Sequence, residues 1–378
     1  MNNPIQQLNK ATSEAGSKTT SLAGQHLKSR NFTFTDQLEF ANFSGDTNPI
    51  HIDPVAARRT ISGQCIMHGI HGLLWALDTL SECTGLTASN VKVRFIKPIF
   101  LNETISCIWE EQTKQLSLIS GDIVLSVATL RLGSLKSVNT IQTKIEPPRS
   151  KPKEPTFIEC SSLGRQPFAI YGDSTLAKTL FPSFVKAYGI AAACEIAAIS
   201  EVIGMECPGL HSLFTTLQVD FRLDSDSIPN FTLKKSDERF NLLQIFVEAH
   251  TLTGEAEAFY RPPPSSNLRI TELRTFVHED EFKNVCALIV GGSRGLGELV
   301  AKLITSGGGK SIITYNVGSA DAARVQREIL SFGGYCETIQ LTIGETVSLP
   351  ARLSDFNQLY YFATPKIFGK RSSEFDTR

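Results

Sequence analysis

Apolar and polar positions along this chain fall into three successive patterns. In the first, the polar, proline-containing stretch FANFSGDTNPIHIDPVAA (40–57) separates a short β-branched and aromatic run at 31–35 from CIMHGIHGLLWALDTL (65–80). Apolar residues recur in the latter at helical spacing and nearly all round, which predicts a buried helix. Strand-like runs follow at 89–100, 103–111, 115–120 and 122–132, separated by turn signals at Asn102, Lys114 and Gly121-Asp122. The second pattern repeats this order: an Ala-rich helix at 184–204 ended by Gly204, then strands at 210–223, 228–236, 240–251 and 254–261. The third differs. VCALIVGGSRGLGELVAKLI (285–304) reads as a strand, a glycine turn and an amphipathic helix, with further strands at 311–316 and 358–364 and a helix at 320–334.

Proline marks the breaks. IEPPRSKPKEP (145–155) and YRPPPSSN (260–267) suit neither a helix nor a central strand. The expected organisation is a flexible leader at 1–30, a first domain at 31–145, a linker at 146–156, a second domain at 157–262, a linker at 263–282 and a third domain at 283–378. The fold class is α+β, a long helix wrapped by an antiparallel sheet twice over, followed by a partial α/β domain.

Composition narrows the function classes. Apolar residues make up 41% and charged residues 20%, and the formal net charge is −1. These are ordinary globular proportions, with no broad charge for nucleic acid or an anionic membrane. The eight cysteines are scattered without C-x-x-C spacing, so they read as small buried hydrophobes in a reducing, cytoplasmic setting with no metal site. No apolar run reaches the length of a membrane span.

The stretch at 40–57 carries the candidate chemistry. In a turn built by Gly45, Asn48 and Pro49, the side chains of Asp46 and His51 can converge on one point. Gly45 permits an unusual backbone conformation, and Pro49 sets φ ahead of His51. Ionised Asp46 only accepts hydrogen bonds, while His51 donates or accepts near neutral pH, a combination that can hold and deprotonate one water. The local spacing alone favours turn formers, helix caps and a satisfied core histidine over catalysis. Asp53 before Pro54 reads as an N-cap for a helix over 54–59. Gly69, at the start of the buried helix, offers a free N–H at the positive end of the helix dipole. His68 and His71 read as packing groups.

SGDTNPIH at 44–51, MHG at 67–69 and VRFIKPIFLNETI at 93–105, taken in this order, resemble the MaoC-like (R)-specific hydratase/dehydratase family, whose members have the hot-dog fold. The second domain resembles a degenerate hot-dog copy that lacks this string, so one active site per chain is expected. The resemblance implies hydration of trans-2-enoyl thioesters, or the reverse dehydration of (R)-3-hydroxyacyl thioesters, with Asp46 and His51 as acid–base pair and the Gly69 N–H on the thioester oxygen. It requires no cofactor. A non-catalytic acyl-binding or scaffold module and a hot-dog thioesterase remain the alternatives. The expected partner is an acyl-CoA or acyl carrier protein thioester, with no nucleic acid or membrane and with a homodimer left open.

The third domain is similar to the opening half of a short-chain dehydrogenase/reductase. Gly291, Ser293, Arg294, Gly295 and Gly297 form its candidate nucleotide turn. Asn316 follows the second strand where an acid would bind a ribose hydroxyl, so the resemblance favours NADP(H) over NAD. The chain stops before that family's Ser and Tyr-x-x-x-Lys, so the expectation is part of a longer hydratase–reductase fusion whose reductase portion is inactive as given.

Overall fold

The computed structural model describes residues 24–60, 62–133, 151–222, 227–261, 263, 267–343 and 356–363. The chain divides into two compact units. One comprises Met1–Ile52 and Ile66–Arg261, the other Asp53–Cys65 and Pro262–Arg378.

In the first unit, strand β1 (Gln25–Asn31) leads into a helix at Phe34–Ser44. Thr33 and Asp36 close a reciprocal capping box at its start, and Gly45 ends it with φ +82°. Two short helices follow, Pro49–Ile52 and Pro54–Ala57, the second N-capped by Asp53 as expected. The buried helix runs Gly69–Thr84 and stops at Gly85, where φ is +70°. Strands β2 (Ala88–Phe95), β3 (Thr104–Glu110), β4 (Gln115–Ser120) and β5 (Ile123–Leu132) complete the first half. The second half has a two-residue strand β6 (Gln166–Pro167), helices Ser174–Leu180, Pro182–Tyr188 and Ile190–Glu201, and a π turn at Val202–Glu206. Strands β7 (Ser212–Phe221), β8 (Asn230–Asp237), β9 (Leu242–Glu248) and β10 (Leu252–Tyr260) follow.

All ten strands form one antiparallel sheet in the order β1-β3-β4-β5-β2-β7-β10-β9-β8-β6. The halves have the same internal order: β7, β10, β9 and β8 stand where β2, β5, β4 and β3 stand, and they join through β2 and β7, with Asn90 opposite Asp220. One apolar core serves both, combining Leu74, Leu77 and Leu80 of the first buried helix with Ala193, Ala197 and Ile199 of the second and with Leu118, Leu217 and Val247 of the sheet. Buried hydrogen bonds tie the halves as well: Phe184 N–H donates to Asp78 Oδ1 at 2.8 Å, and Ala88 N–H donates to the Tyr188 hydroxyl at 2.7 Å.

The second unit holds a parallel sheet of β11 (Cys286–Val290), β12 (Lys310–Tyr315), β13 (Tyr335–Gln340) and β14 (Gln358–Tyr361), in the order β13-β12-β11-β14. Helices Gly295–Ser306 and Ser319–Ser331 connect its first three strands. Their apolar faces (Ala301, Ile304, Val325, Ile329) bury against Ala287, Ile289 and Ile313.

Several expectations need correction. The leader expected over 1–30 gives way to β1 at Gln25, whose exposed edge position leaves no apolar alternation to read. The helix Phe34–Ser44 starts within the β-branched and aromatic run at 31–35 and extends into the stretch expected to be a polar turn. The single helix expected over 184–204 breaks at Gly189, whose φ of +92° and ψ of 163° no helix accommodates. The linker expected over 263–282 contains the helix Ile270–Leu273, which buries both of its terminal apolar residues. Asp53–Cys65, expected within the first domain, packs with the second unit. Residues 134–150, most of the first linker, lie outside the described residues. Among the described residues no single helix is long and apolar enough to cross a membrane.

Candidate active site

The turn after the Phe34–Ser44 helix is held by its own polar groups. The Asp46 N–H donates to Ser44 Oγ at 3.1 Å, Asn48 N–H to Asp46 Oδ1 at 3.1 Å, and Ile50 N–H to Asn48 Oδ1 at 3.2 Å. The last two are side-chain-closed turns that replace helical bonds while the chain changes direction. His51 N–H then donates to Asn48 O at 2.9 Å, starting the short helix that carries the imidazole. Gly45, Asp46 and Asn48 thus lie in the expected turn, while Pro49 and His51 stand in the short helix that follows it.

His51 Nδ1 lies 2.8 Å from Ile66 O. A carbonyl oxygen only accepts, so in the neutral ring Nδ1 carries the hydrogen and Nε2 keeps its lone pair. His68 meets Asp46 O through Nε2 at 3.0 Å, and its ring stacks on His51 with centroids 3.8 Å apart. The ligand-capable atoms of Asp46, His51 and His68 lie within 4.8 Å of one another. A water with two hydrogen bonds of about 2.8 Å spans such a gap. His51 and His68 each commit one ring nitrogen to a backbone carbonyl, which leaves the other nitrogen of each ring uncommitted, and the Asp46 oxygens accept from Asn48 N–H and the Ser200 hydroxyl.

Burial sets the electrostatics. Asp46 is 2% exposed and His68 fully buried, while His51 keeps partial exposure. Burial raises the Asp46 carboxyl above its ordinary value, opposed by the His51 charge, the Ser200 hydroxyl and the Asn48 N–H. Burial likewise lowers His51, with Asp46 and the Ile66 carbonyl opposing and Arg261 adding to the fall. His68 lies well below its ordinary value because it is buried next to His51, and is neutral. His71 is pushed down to about 3 by burial; it stacks on Phe40 at 4.6 Å and packs in the core, as expected. His68 packs fully buried at the helix start, as expected, against Phe40 and His51 and beside Asp46.

Three participants come from the second half of the unit and carry no local sequence signal. Ser200 Oγ donates to Asp46 Oδ2 at 2.7 Å. Gly204 lies so close to Asp46 that an added Cβ would meet Oδ1 at 2.4 Å. The Gly204 and Gly209 carbonyls accept from Asn48 Nδ2 at 2.8 and 3.3 Å. Helical spacing within 184–204 shows a buried face, but not that this face meets a residue some 150 positions earlier.

Gly69 opens the buried helix directly after His68 and is only partly buried. Its N–H belongs to the first turn, where no intrahelical acceptor exists.

Residues 18–125 match the family model described as a MaoC like domain. This stretch is a MaoC-like domain. It contains the Asp46–His51 turn, the buried helix and strands β1 to β4. Among solved structures, a MaoC-like dehydratase is 9% identical, with a TM-score of 0.40 over 62% of this chain and 97% of its own. The (R)-hydratase from A. caviae involved in PHA biosynthesis is 22% identical, with a TM-score of 0.23 over 30% of this chain and 99% of its own. FolM alternative dihydrofolate reductase 1 from Brucella canis, complexed with NADP, is 23% identical, with a TM-score of 0.16 over 16% of this chain and 24% of its own. Ser200 and Gly204 lie outside the MaoC-like domain, in the half of the sheet that follows it.

The expected nucleotide turn lies in the second unit. Gly291 has φ +81° and Gly295 φ +57°, and a Cβ on Gly297 would meet Gly291 O at 2.3 Å, so the strand and the following helix approach as closely as glycines allow. Gly291 N–H donates to Thr314 Oγ1 at 3.1 Å, Ser293 is buried, and Arg294 caps the helix. Asn316 follows β12 and accepts from Gln340 Nε2 through its carbonyl at 3.0 Å.

Proposed function

We propose that the MaoC-like domain hydrates trans-2-enoyl thioesters, and dehydrates (R)-3-hydroxyacyl thioesters in reverse, on CoA or an acyl carrier protein. The observation that carries this reading is the convergence of a buried carboxylate and a histidine with a fixed tautomer to within 4.8 Å, a separation that the two hydrogen bonds of one water can span. In hydration, Asp46 and the Nε2 lone pair of His51 hold the water and take its proton as its oxygen bonds to Cβ. Charge moves to the thioester oxygen, where the Gly69 N–H and the helix dipole receive it. A proton then passes to Cα, so that one water has been added across the double bond. In dehydration the same groups remove the Cα proton and protonate the leaving hydroxyl. We read the two halves of the sheet as paired hot-dog copies, the second of which keeps Asp46 in place through Ser200.

Crotonyl-CoA tests the reaction. The full chain is expected to remove the enoyl absorbance without releasing thiol. Free thiol points instead to a thioesterase. An unchanged spectrum, with an acyl carrier protein substrate also inert, overturns the enzymatic reading.

Ser200→Ala gives a finer test. The hydroxyl favours the ionised carboxylate, so its loss raises the Asp46 pKa further. The acid limb of the kcat/KM profile is expected to move to higher pH, with the plateau about tenfold lower. A profile that falls in height without moving along the pH axis would assign Ser200 to packing alone.

A further inference from the structure

The segment Asp53–Cys65 leaves the fold of the first unit and packs with the second. There it delivers two arginines to the carboxyl ends of β11 and β12. Arg58 and Arg59 pair with opposite oxygens of Asp321, in the first turn of the helix Ser319–Ser331. The Arg58 guanidinium also lies over Gly318, where an added Cβ would meet its two terminal nitrogens at 2.2 Å. Arg294, which opens the helix after the glycine turn, donates from Nη1 to Arg58 O at 2.7 Å.

Charge is out of balance here. Among the described residues, three guanidinium groups gather at one carboxylate, Arg58 and Arg59 pairing with it and Arg294 bonded to the Arg58 carbonyl, a surplus of two positive charges. The neighbouring Glu298 supplies no counter-charge to the cluster, since it pairs with Arg324 at 2.9 and 2.7 Å and with Lys302 at 2.7 Å. Arg294 sits below its ordinary pKa through burial and then through the nearness of Arg58 and Arg59. Arg58 and Asp321 are 12% and 8% exposed, whereas Arg59 is 49% exposed, so the cluster is built into the surface and open on one side.

The location names the ligand. In an open parallel sheet, nucleotides bind at the carboxyl ends of the strands, and the turn after the second strand meets the adenosine ribose. The glycine turn fits the dinucleotide expected there. An added Cβ on Gly295 would meet nothing within 4 Å, so the outer face of the turn is open, while its inner face is closed by the Gly291–Gly297 contact. A ribose phosphomonoester carries close to two negative charges, which matches the surplus.

We propose that Arg58 and Arg59, carried in by the segment Asp53–Cys65, join Arg294 to bind the ribose phosphomonoester of a phosphorylated dinucleotide held at the 291–297 turn. The segment therefore works as a nucleotide-binding strap as well as a connection. Bound phosphate competes with Asp321 for the two guanidinium groups and draws on the donors that Asp321 leaves unused.

Calorimetric titration of the full chain tests this with four probes: NADP+, NAD+, adenosine 2′,5′-bisphosphate and adenosine 3′,5′-bisphosphate. NADP+ is expected to bind at least about tenfold tighter than NAD+. Arg58→Ala/Arg59→Ala is expected to weaken NADP+ by about 10- to 100-fold while leaving NAD+ within about twofold. Because Arg58 is mostly buried, circular dichroism checks the double variant. Should it lose structure, Arg59→Ala, on a half-exposed side chain, decides alone through a severalfold loss for NADP+ only. Equal affinity for the two dinucleotides, no binding of either, or an unaltered variant each overturns the proposal. Tighter binding of both dinucleotides by the double variant also overturns it, since the segment then covers the site. If the 3′,5′-bisphosphate binds as well as the 2′,5′-bisphosphate and suffers the same loss, the phosphate belongs to the nucleotide of CoA and the dinucleotide assignment fails.

Discussion

Asp46→Asn is expected to abolish measurable hydration of crotonyl-CoA, with kcat/KM down by about 10³-fold or more, and to make the protein more stable at neutral pH. The loss of activity follows from removing one of the two groups that hold and deprotonate the water. His51→Ala is expected to lose as much, because it removes the only lone pair that the Ile66 carbonyl directs away from the backbone. The gain in stability follows from linkage. Burial raises the folded-state pKa of Asp46 above the ordinary value of 3.8. The folded protein therefore holds this proton more tightly than the unfolded chain does. The stabilisation from that tighter binding is complete below the unfolded pKa and is lost as pH rises through the folded one. Above it, a carboxylate sits 2% exposed at a net cost that asparagine does not incur. The variant should melt higher than wild type at pH 7 to 8, a difference that closes as pH falls towards 3.8. Melting curves across this range together with the crotonyl-CoA assay check both halves. A variant that retains activity would remove Asp46 from the chemistry, and one that is less stable at every pH would make it a structural carboxylate.

The two parts of the site differ in how far they can be read along the chain. Asp46, Asn48 and His51 fall within six consecutive positions, and the physics that joins them is local: a left-handed glycine, side-chain-closed turns and a proline. Gly69 is legible for a similar reason, since a helix start is a local event with a known polarity. Ser200 and Gly204 are not. Their meaning depends on the β2–β7 junction, which closes the two halves into one sheet and brings the Ala-rich helix against the turn. Periodicity reports that this face is buried, and leaves open what buries it. The helix Phe34–Ser44 escaped notice because Phe34, Phe40 and Phe43 mix with Thr, Asp, Gln and Glu, so neither a strand nor a helix period dominates. Asp53–Cys65 shows along the chain only the Asp53 cap, and its arginines meet Asp321 and Arg294, more than 230 positions away, only in the fold. A nearest-neighbour reading of sequence finds the candidate groups Asp46 and His51, and the fold adds Ser200 and Gly204 around the carboxylate.

Gly204→Ala is expected to separate aim from chemistry most sharply. An alanine Cβ would lie 2.4 Å from Asp46 Oδ1 and 2.6 Å from Oδ2, well inside contact distance. The cheapest relief is rotation of the short Asp46 side chain, since Gly204 itself is fixed in the π turn and its carbonyl holds Asn48. That rotation gives up the bond from Ser200 or the bond from the Asn48 N–H and carries the carboxylate away from the water. A displacement of about 1 Å at a reacting group costs on the order of 10²-fold in kcat, while KM, set by contacts elsewhere on the thioester, holds. Stability should move little, because alanine is favoured over glycine in a helical turn by up to about 1 kcal/mol, which offsets the strain. The expected result is a variant whose melting temperature stays within about 3 °C of wild type while kcat falls about a hundredfold. Combination with Asp46→Asn makes the argument testable as a cycle. If Gly204 acts only by leaving room for the carboxylate, the double variant retains the same residual activity as Asp46→Asn alone, a fully non-additive pair. Additive losses would show that Gly204 serves the reaction by another route, and a fully active Gly204→Ala would mean that the Asp46 carboxylate does not have to stand where the fold places it.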